Sequence, residues 1–546
     1  MRDLKSRGMG GSHSGHLYCT LARGLPVDSQ PLCEDGFNKF LQKRSILQIV
    51  LTDITTTTLL VLLDFCFQWC DGDAGAVTMV VVDSASFRLT PGPGTALPLI
   101  GHLHLLSRDP RVQFAAWRRQ YGDVFSLYVG NRLIVVLSGY RVIKDALVTH
   151  GDVFSDRPHM FLTDVIAKNR GVVGTSGPHW KEQRKVSLEI LREMGMGRNV
   201  LAEKIQEEVR EYVKAIAALQ GAAFDPKTLT YTSVSNNICS IVFGERFEYN
   251  DPVFCRYLDT INQNFKNLAR TTAVNFIPVL KYLPGDLFCL QRTINNVAFV
   301  QNEFLFPQLD SHRKRYDDSN DEASDFVEGY LREMNKMKGK DSTLDDPNLV
   351  KVMGDLFVAG TETTATVIRW ALVYFLHYPE VQELCFQEIK ESSVRSERRP
   401  SATPELTYVE ATIMEVLRHA DIAPFALHHG LACDTMFMGY TLPKDTIIIP
   451  FIDSVLQDPD IWDNPLDFRP ERFIGPYGKL VKKEEFIPFS LGRRVCLGEA
   501  MARTELFLYL STMIQRFRFL PPETGELPSL EGIMSLSKIP GNFLRA

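Results

Sequence analysis

Ten cysteines are spread along the chain, at positions 19, 33, 66, 70, 239, 255, 289, 385, 433 and 496, and one of them stands in surroundings suited to a thiolate. The segment Phe489-Ser-Leu-Gly-Arg-Arg-Val-Cys-Leu-Gly498 carries Cys496 to the start of an apolar-periodic stretch that reads as a helix. A thiol placed there feels the positive end of the helix dipole and nearby backbone N–H donors, and both lower its pKa. Gly492 and Gly498 would let backbone approach a flat cofactor closely. Arg494 would offer a guanidinium to a carboxylate of that cofactor. The other nine cysteines read as small buried hydrophobes. No C-x-x-C pair occurs, which argues against a zinc ribbon or a thioredoxin-like site, and the spacing is not that of a secreted disulfide framework. Reduced thiols in a cytosol-facing protein are expected.

Three further constellations carry chemistry or hold it in place. In a long apolar stretch stands Ala359-Gly-Thr-Glu-Thr-Thr364. A glycine inside a helix costs up to about 1 kcal/mol against alanine, so it needs a reason; room for a bound gas beside a local widening is one. Glu362 and Thr363 are adjacent and so cannot share a helix face. Glu415 and Arg418 lie three apart, a spacing that lets them pair. Trp180 and Arg184 lie four apart, on one helical face.

Taken together, these residues resemble the cytochrome P450 family. Its F-x-x-G-x-R-x-C-x-G signature matches at Phe489, Gly492, Arg494, Cys496 and Gly498, and its [AG]-G-x-[DE]-T pattern matches at 359–363. The resemblance implies haem b (iron protoporphyrin IX) as cofactor, with Cys496 as the axial ligand to the iron. It implies that Thr363 helps deliver protons to iron-bound dioxygen, with Glu362 as the adjacent acid turned away from the haem. Trp180, Arg184 and Arg494 would hold haem propionates, and His429 falls where related members place a propionate-binding histidine. The usual arginine beside that histidine is Gly430 here, and His428 stands where proline is common. The family's E-x-x-R motif, completed by an arginine in a P-x-R-F segment, makes Glu415, Arg418 and Arg472 a structural network that locks the cysteine loop. By the same analogy the substrate pocket is walled by Phe161, Leu162, Phe357, Val358, Ala423, Phe425, Ala426 and Met534.

The runs from Trp180, around Gly195-Met196-Gly197 and from Arg418 to Pro424 look most like the microsomal family 2 branch. The implied activity is a monooxygenase that inserts one atom of dioxygen into a lipophilic substrate (a fatty acid, steroid or xenobiotic). Electrons would come from NADPH-cytochrome P450 reductase, with cytochrome b5 as a further partner. Lys181, Lys185 and Arg493 are candidates for docking the reductase. Membrane lipid is an expected partner, on the cytosolic face of the endoplasmic reticulum, with a mitochondrial location as the alternative. Two other readings compete. One is a haem-thiolate hydroperoxide isomerase or dehydratase, against which Glu362 and Thr363 argue; the other is a non-catalytic haem-binding protein.

The elements that must position these residues are mainly helical. Lys181 to Leu219 shows helical periodicity. The strongest helix is expected from Asp346, as N-cap, to about Leu376, roughly 30 residues or 45 Å long. Strands are expected at Val124–Val129, Leu133–Leu137 and Thr446–Pro450. The fold class is therefore mainly α with small β-sheets: one large haem domain over 86–546 with a long central helix, the cytochrome P450 fold. Pro91-Gly-Pro-Gly94 reads as a stiff hinge before it. Residues 1–85 read as a poorly defined N-terminal region with a weak membrane-anchor candidate at 46–69, which Asp53 and Asp64 interrupt. Over 546 residues the net charge is −6 and no basic run stands out, so no nucleic acid is expected as a partner.

Overall fold

The computed structural model describes residues 90–541, apart from 108, 196–198, 318–321, 399–405, 523–524 and 535–536. The anchor candidate at 46–69, the rest of residues 1–85 and the Met196-Gly197 pair lie outside the described residues. Among the described residues no helix is long and apolar enough to cross a membrane.

The fold is mainly helical with small sheets, as expected. The central helix runs Asp346–His377, 32 residues, with buried side chains along most of its length. Its cap is Asp345 rather than Asp346: the Asp345 carboxylate accepts the Asn348 N–H at 2.7 Å, and Pro347 then falls in the first turn, where a missing N–H costs nothing. The helix stops at Tyr378, before Pro379. The periodic run from Lys181 is two helices, Gly177–Glu193 and Asn199–Ala217, because the first ends at Met194 and Gly195 follows with φ 88°.

A four-stranded sheet packs beside this bundle in the order Val124–Val129, Arg132–Leu137, Ile447–Pro450, His429–Gly430. The first pair is antiparallel, with Val124 opposite Leu137. Ile447–Pro450 joins parallel, with Ile134 opposite Ile447, and His429 pairs antiparallel with Ile448. The sheet therefore places His429 by backbone register. The Pro91–Gly94 segment is pinned to the first strand: Ser126 N–H donates to Pro91 O at 2.8 Å, and a Cβ on Gly92 would stand 2.2 Å from Ser126 O. It serves as a docked strap, not the hinge its prolines suggested.

Cysteine burial divides the expected set. Cys239, Cys289 and Cys385 are buried as expected, Cys255 is half-buried, and Cys433 is exposed.

Candidate active site

The cysteine loop is shaped by contacts within the protein. Cys496 N–H donates to Phe489 O at 3.0 Å, closing the turn, and the helix Glu499–Arg516 begins three residues past it with Gly498 as its cap residue. Gly492 has φ 73°, and a Cβ there would stand 1.9 Å from Leu147 O. The need for glycine at 492 thus follows from close approach to the backbone at Leu147. Gly498 differs, since a Cβ there would meet nothing within 4 Å. Phe489 lies half-buried under the loop with the Arg503 guanidinium 5.0 Å from its ring centre.

The Cys496 side chain is uncovered at contact range, yet protein surrounds it at longer range, as happens on the wall of an enclosed space. Burial pushes the thiol up, against the Gly498 N–H and the Arg184 charge, which pull it down. The expected lowering by the helix start is present but outweighed. A metal ion would reverse the balance, because a coordinating thiol is deprotonated outright. Among the described residues no group of three or more His, Cys, Asp or Glu could hold a metal ion. A metal that brings its other ligands with it, as the iron of a porphyrin does, suits a lone thiol among the described residues.

Next to the loop lies a cluster of guanidinium groups whose bonds run to neutral carbonyls. Arg494 donates to Ser155 O at 2.7 Å and Thr175 O at 2.5 Å; Arg184 donates to Val495 O at 2.6 Å. Arg157 donates to Val173 O at 3.1 Å and His428 O at 2.7 Å. Burial first, then the charges of Arg157 and Arg184, push Arg494 down to about 8; burial and Arg184 push Arg157 down to about 10. Asp156 opposes the effect at Arg494 only partly. Guanidinium groups do not give up their protons in proteins, so these depressions express electrostatic stress rather than neutral arginine. An anion set between the groups would relieve it. Trp180 stacks under Arg494, its ring centre 3.7 Å from the guanidinium carbon, and its buried indole N–H has no hydrogen-bond partner. A free buried donor beside unbalanced cations fits the two carboxylates of a haem. Trp180, Arg184 and Arg494 are thus brought together as the sequence predicted, with Arg157 added. No motif marks Arg157, and only the fold shows it, since the charge reaches the cluster across a loop.

His429 is buried, and its Nδ1–H donates to Phe154 O at 2.6 Å. Burial and Arg157 push its pKa down to about 3, so the ring is neutral and Nε2 is an acceptor. In that form it cannot donate from Nε2 to a carboxylate; a carboxylate placed beside it would favour the charged ring.

On the central helix, Ala359 and Thr363 are exposed while Thr361, Thr364 and Ala365 are buried. Positions four apart share a face, so the helix presents one uncovered patch within a buried length. Thr363 Oγ1 donates to Ala359 O at 2.8 Å. Helical pattern continues unbroken through Gly360, without the widening expected there. Gly360 lets the helix Pro226–Val242 pack closely: a Cβ would stand 2.4 Å from Ile238 Cδ1, the tip of a side chain that would have to shift. Glu362 lies off the Thr363 patch, within reach of Ser537 Oγ at 3.4 Å; burial raises its pKa against Arg369 and Lys227.

Glu415, Arg418 and Arg472 meet as expected. Arg418 is fully buried and grips both Glu415 oxygens at 2.8 Å, and Arg472 Nε reaches Glu415 Oε1 at 3.0 Å. Arg418 also donates to Leu456 O and Pro465 O, both at 2.8 Å, and Arg469 N–H donates to Glu415 at 2.9 Å. These bonds fasten the helix Thr407–Ala420 to residues 456–472, the stretch ahead of the cysteine loop; they hold that stretch and not, as expected, the loop itself.

The predicted pocket wall divides in two. Phe161, Val358, Ala423, Ala426 and Met534 are half-buried. Phe357 is fully buried with Tyr257 edge-on at 4.7 Å, and Phe425 is half-buried, stacked on Phe451 with Phe114 edge-on to it. Leu162 is buried with its N–H on Asn275 Oδ1 at 2.8 Å. Phe357 is a core residue, fully buried against Tyr257, whereas Phe425 stays half-buried at the edge of an aromatic cluster. Among the docking candidates, Lys181 and Lys185 are exposed on the helix that carries Arg184, whereas Arg493 pairs with Asp152 at 2.7 Å.

Comparison with known proteins adds two findings. The family model "Cytochrome P450" matches residues 91–545. The chain is 39% identical to cytochrome P450 2B4 of Oryctolagus cuniculus over 455 residues, covering 81% of this chain and 91% of that protein. It is also 39% identical to human cytochrome P450 2U1, over 80% of each chain, and 37% identical to human cytochrome P450 2J2, over 80% and 87%.

Proposed function

Because the chain belongs to the cytochrome P450 family, a haem-thiolate monooxygenase family, we propose that Cys496 is its axial ligand and that it oxygenates a lipophilic small molecule with electrons from NADPH-cytochrome P450 reductase. The observation that carries the assignment of Cys496 is its place: an uncovered thiol at the foot of a helix, beside a cluster of arginines that Asp156 balances only in part. Haem, when bound there, supplies dioxygen activation and oxygen insertion into a C–H bond or a double bond. Trp180, Arg184, Arg494 and Arg157 would hold its carboxylates, and the Gly498 N–H would donate to the cysteine sulfur.

Thr363 would hold a proton path at Oγ1. In the conformation seen its hydrogen points to Ala359 O, so its oxygen lone pairs are free to accept from the uncovered side. Glu362, raised by burial, keeps a proton more readily than an exposed glutamate and is suited to resupply the path. Replacing Thr363 by alanine is expected to cut product formed per NADPH by on the order of tenfold while NADPH oxidation continues and peroxide rises. That is below the roughly 10²–10⁴ of a sole general acid, because water can stand in for the hydroxyl. Unchanged coupling in the variant would remove Thr363 from the path.

The half-buried apolar residues Phe161, Val358, Ala423, Ala426 and Met534 support a lipophilic substrate of the fatty acid, steroid or xenobiotic class. The test is reconstitution with the reductase and NADPH. Substrate-dependent oxygen consumption with a product one oxygen heavier supports the reading; no such consumption across fatty acids, steroids and xenobiotics, in haem-loaded protein, overturns it.

For the reductase we propose the face carrying Lys181 and Lys185, with the endoplasmic reticulum membrane as the location and cytochrome b5 as a further partner. Reversing both lysines to glutamate is expected to raise the reductase concentration for half-maximal rate by about tenfold at low salt, with the effect fading as salt screens the charges. A rate that does not respond to the reversal at low salt would discard this face.

A further inference from the structure

We propose that a cavity beside the central helix, apart from the Thr363 patch, binds a small planar oxyanion of the carboxylate type. Glu362, Ala365, Thr366 and Arg369 form one stripe of that helix at three- and four-residue spacing, and it makes one wall. Lys227 and Tyr231 come from the helix Pro226–Val242, and Asn262 and Lys266 from the helix Pro252–Phe276. The cavity measures about 70 Å³. One water needs roughly 10–15 Å³ measured this way, so formate, acetate or the carboxylate head of a longer chain fits where a bulky group does not.

Two buried polar groups face this space without a partner. The Tyr231 hydroxyl belongs to a side chain 7% exposed, and Arg369, 6% exposed, leaves its Nε unbonded. Buried donors in folded proteins are nearly always satisfied, so a pair left open on one cavity points to something that fills both. The charges agree. Lys227, Lys266 and Arg369 line the cavity against a single carboxylate, Glu362, whose ionisation burial already disfavours. Asp225 offsets Arg369 and Lys227 in part, from an exposed position outside the cavity. Water would satisfy the hydroxyl and the Nε–H but leave the surplus positive charge. A carboxylate does both, since a guanidinium presents paired donors matched to two coplanar oxygens. Such an anion is either free in solution or the head of an amphiphilic substrate; the second source rests on the monooxygenase reading, and the first does not.

The test follows the ¹³C signal of labelled formate added to the haem-loaded protein, without turnover, so that it is independent of whether the protein oxygenates anything. Saturable broadening, competed away by acetate, is expected in the wild type. Lys266→Gln, at an exposed position that leaves the fold intact, and Tyr231→Phe should each reduce it at least fivefold. Equal broadening in the wild type and both variants, or broadening that acetate does not compete for, overturns the proposal. Dodecanoate displacing formate where its methyl ester does not identifies the occupant as a substrate head. Displacement by acetate but not by dodecanoate identifies a free anion.

Discussion

Replacing Cys496 by serine is expected to abolish the strongly red-shifted Soret band that the dithionite-reduced protein gives with carbon monoxide, while leaving the chain folded. The expectation of a folded variant comes from the loop's own architecture. The turn is closed by the backbone bond from Cys496 N–H to Phe489 O, and its path is fixed where Gly492 meets Leu147. Neither contact uses the sulfur, so serine removes the ligand without removing the scaffold. A hydroxyl is a far weaker ligand for iron than a thiolate and cannot supply its electron push. The measurement is the carbon monoxide difference spectrum of both proteins, with circular dichroism to confirm that they are folded. A haem-loaded wild type with no red shift would show that Cys496 does not bind iron as a thiolate, and the proposed mechanism would fail at its first step.

The second large effect is expected at Arg418. Its guanidinium holds both oxygens of a fully buried Glu415 and two backbone carbonyls as well. Truncation to alanine leaves a buried carboxylate short of partners and carbonyls without donors, and removing one member of a buried pair costs about 3–5 kcal/mol. Against a total stability of about 5–15 kcal/mol, that is enough to prevent accumulation of folded, haem-loaded protein. Lysine should rescue little, because an ammonium cannot span both carboxylate oxygens and two carbonyls at once. Arg472→Ala should be milder, since Arg472 gives Glu415 one bond where Arg418 gives two. Soluble yield and urea midpoints of the three variants test the order; an Arg418→Lys protein as stable as the wild type would contradict it.

The parts of the fold legible in the sequence were those written in local pattern. Alternation marked Val124–Val129 to the residue, and a continuous apolar period bounded by Pro347 and Pro379 marked the central helix. The cysteine loop and the buried Glu415–Arg418 network were legible through the motifs they share with the family; spacing alone said only that Glu415 and Arg418 could pair. What could not be read depends on what lies opposite. Phe357 looks like a pocket residue by position, but Tyr257 arrives from a distant segment to cover it. Gly492 announced that space was needed without telling that the backbone at Leu147 takes it. Arg157 gave no signal, because its charge matters only once the chain between it and Arg184 has folded.

The unbalanced arginines beside the cysteine loop bear on how much of this protein a cell can keep. A chain that holds Arg157 and Arg184, half-buried, beside buried Arg494 under mutual repulsion would be stabilised by a dianionic group that neutralised them. By mass action that stabilisation grows with the free concentration of the group. When porphyrin synthesis lags behind translation, newly made chains would open more often and meet proteases before they are filled. The steady-state level of the enzyme would then follow haem supply as closely as it follows messenger abundance.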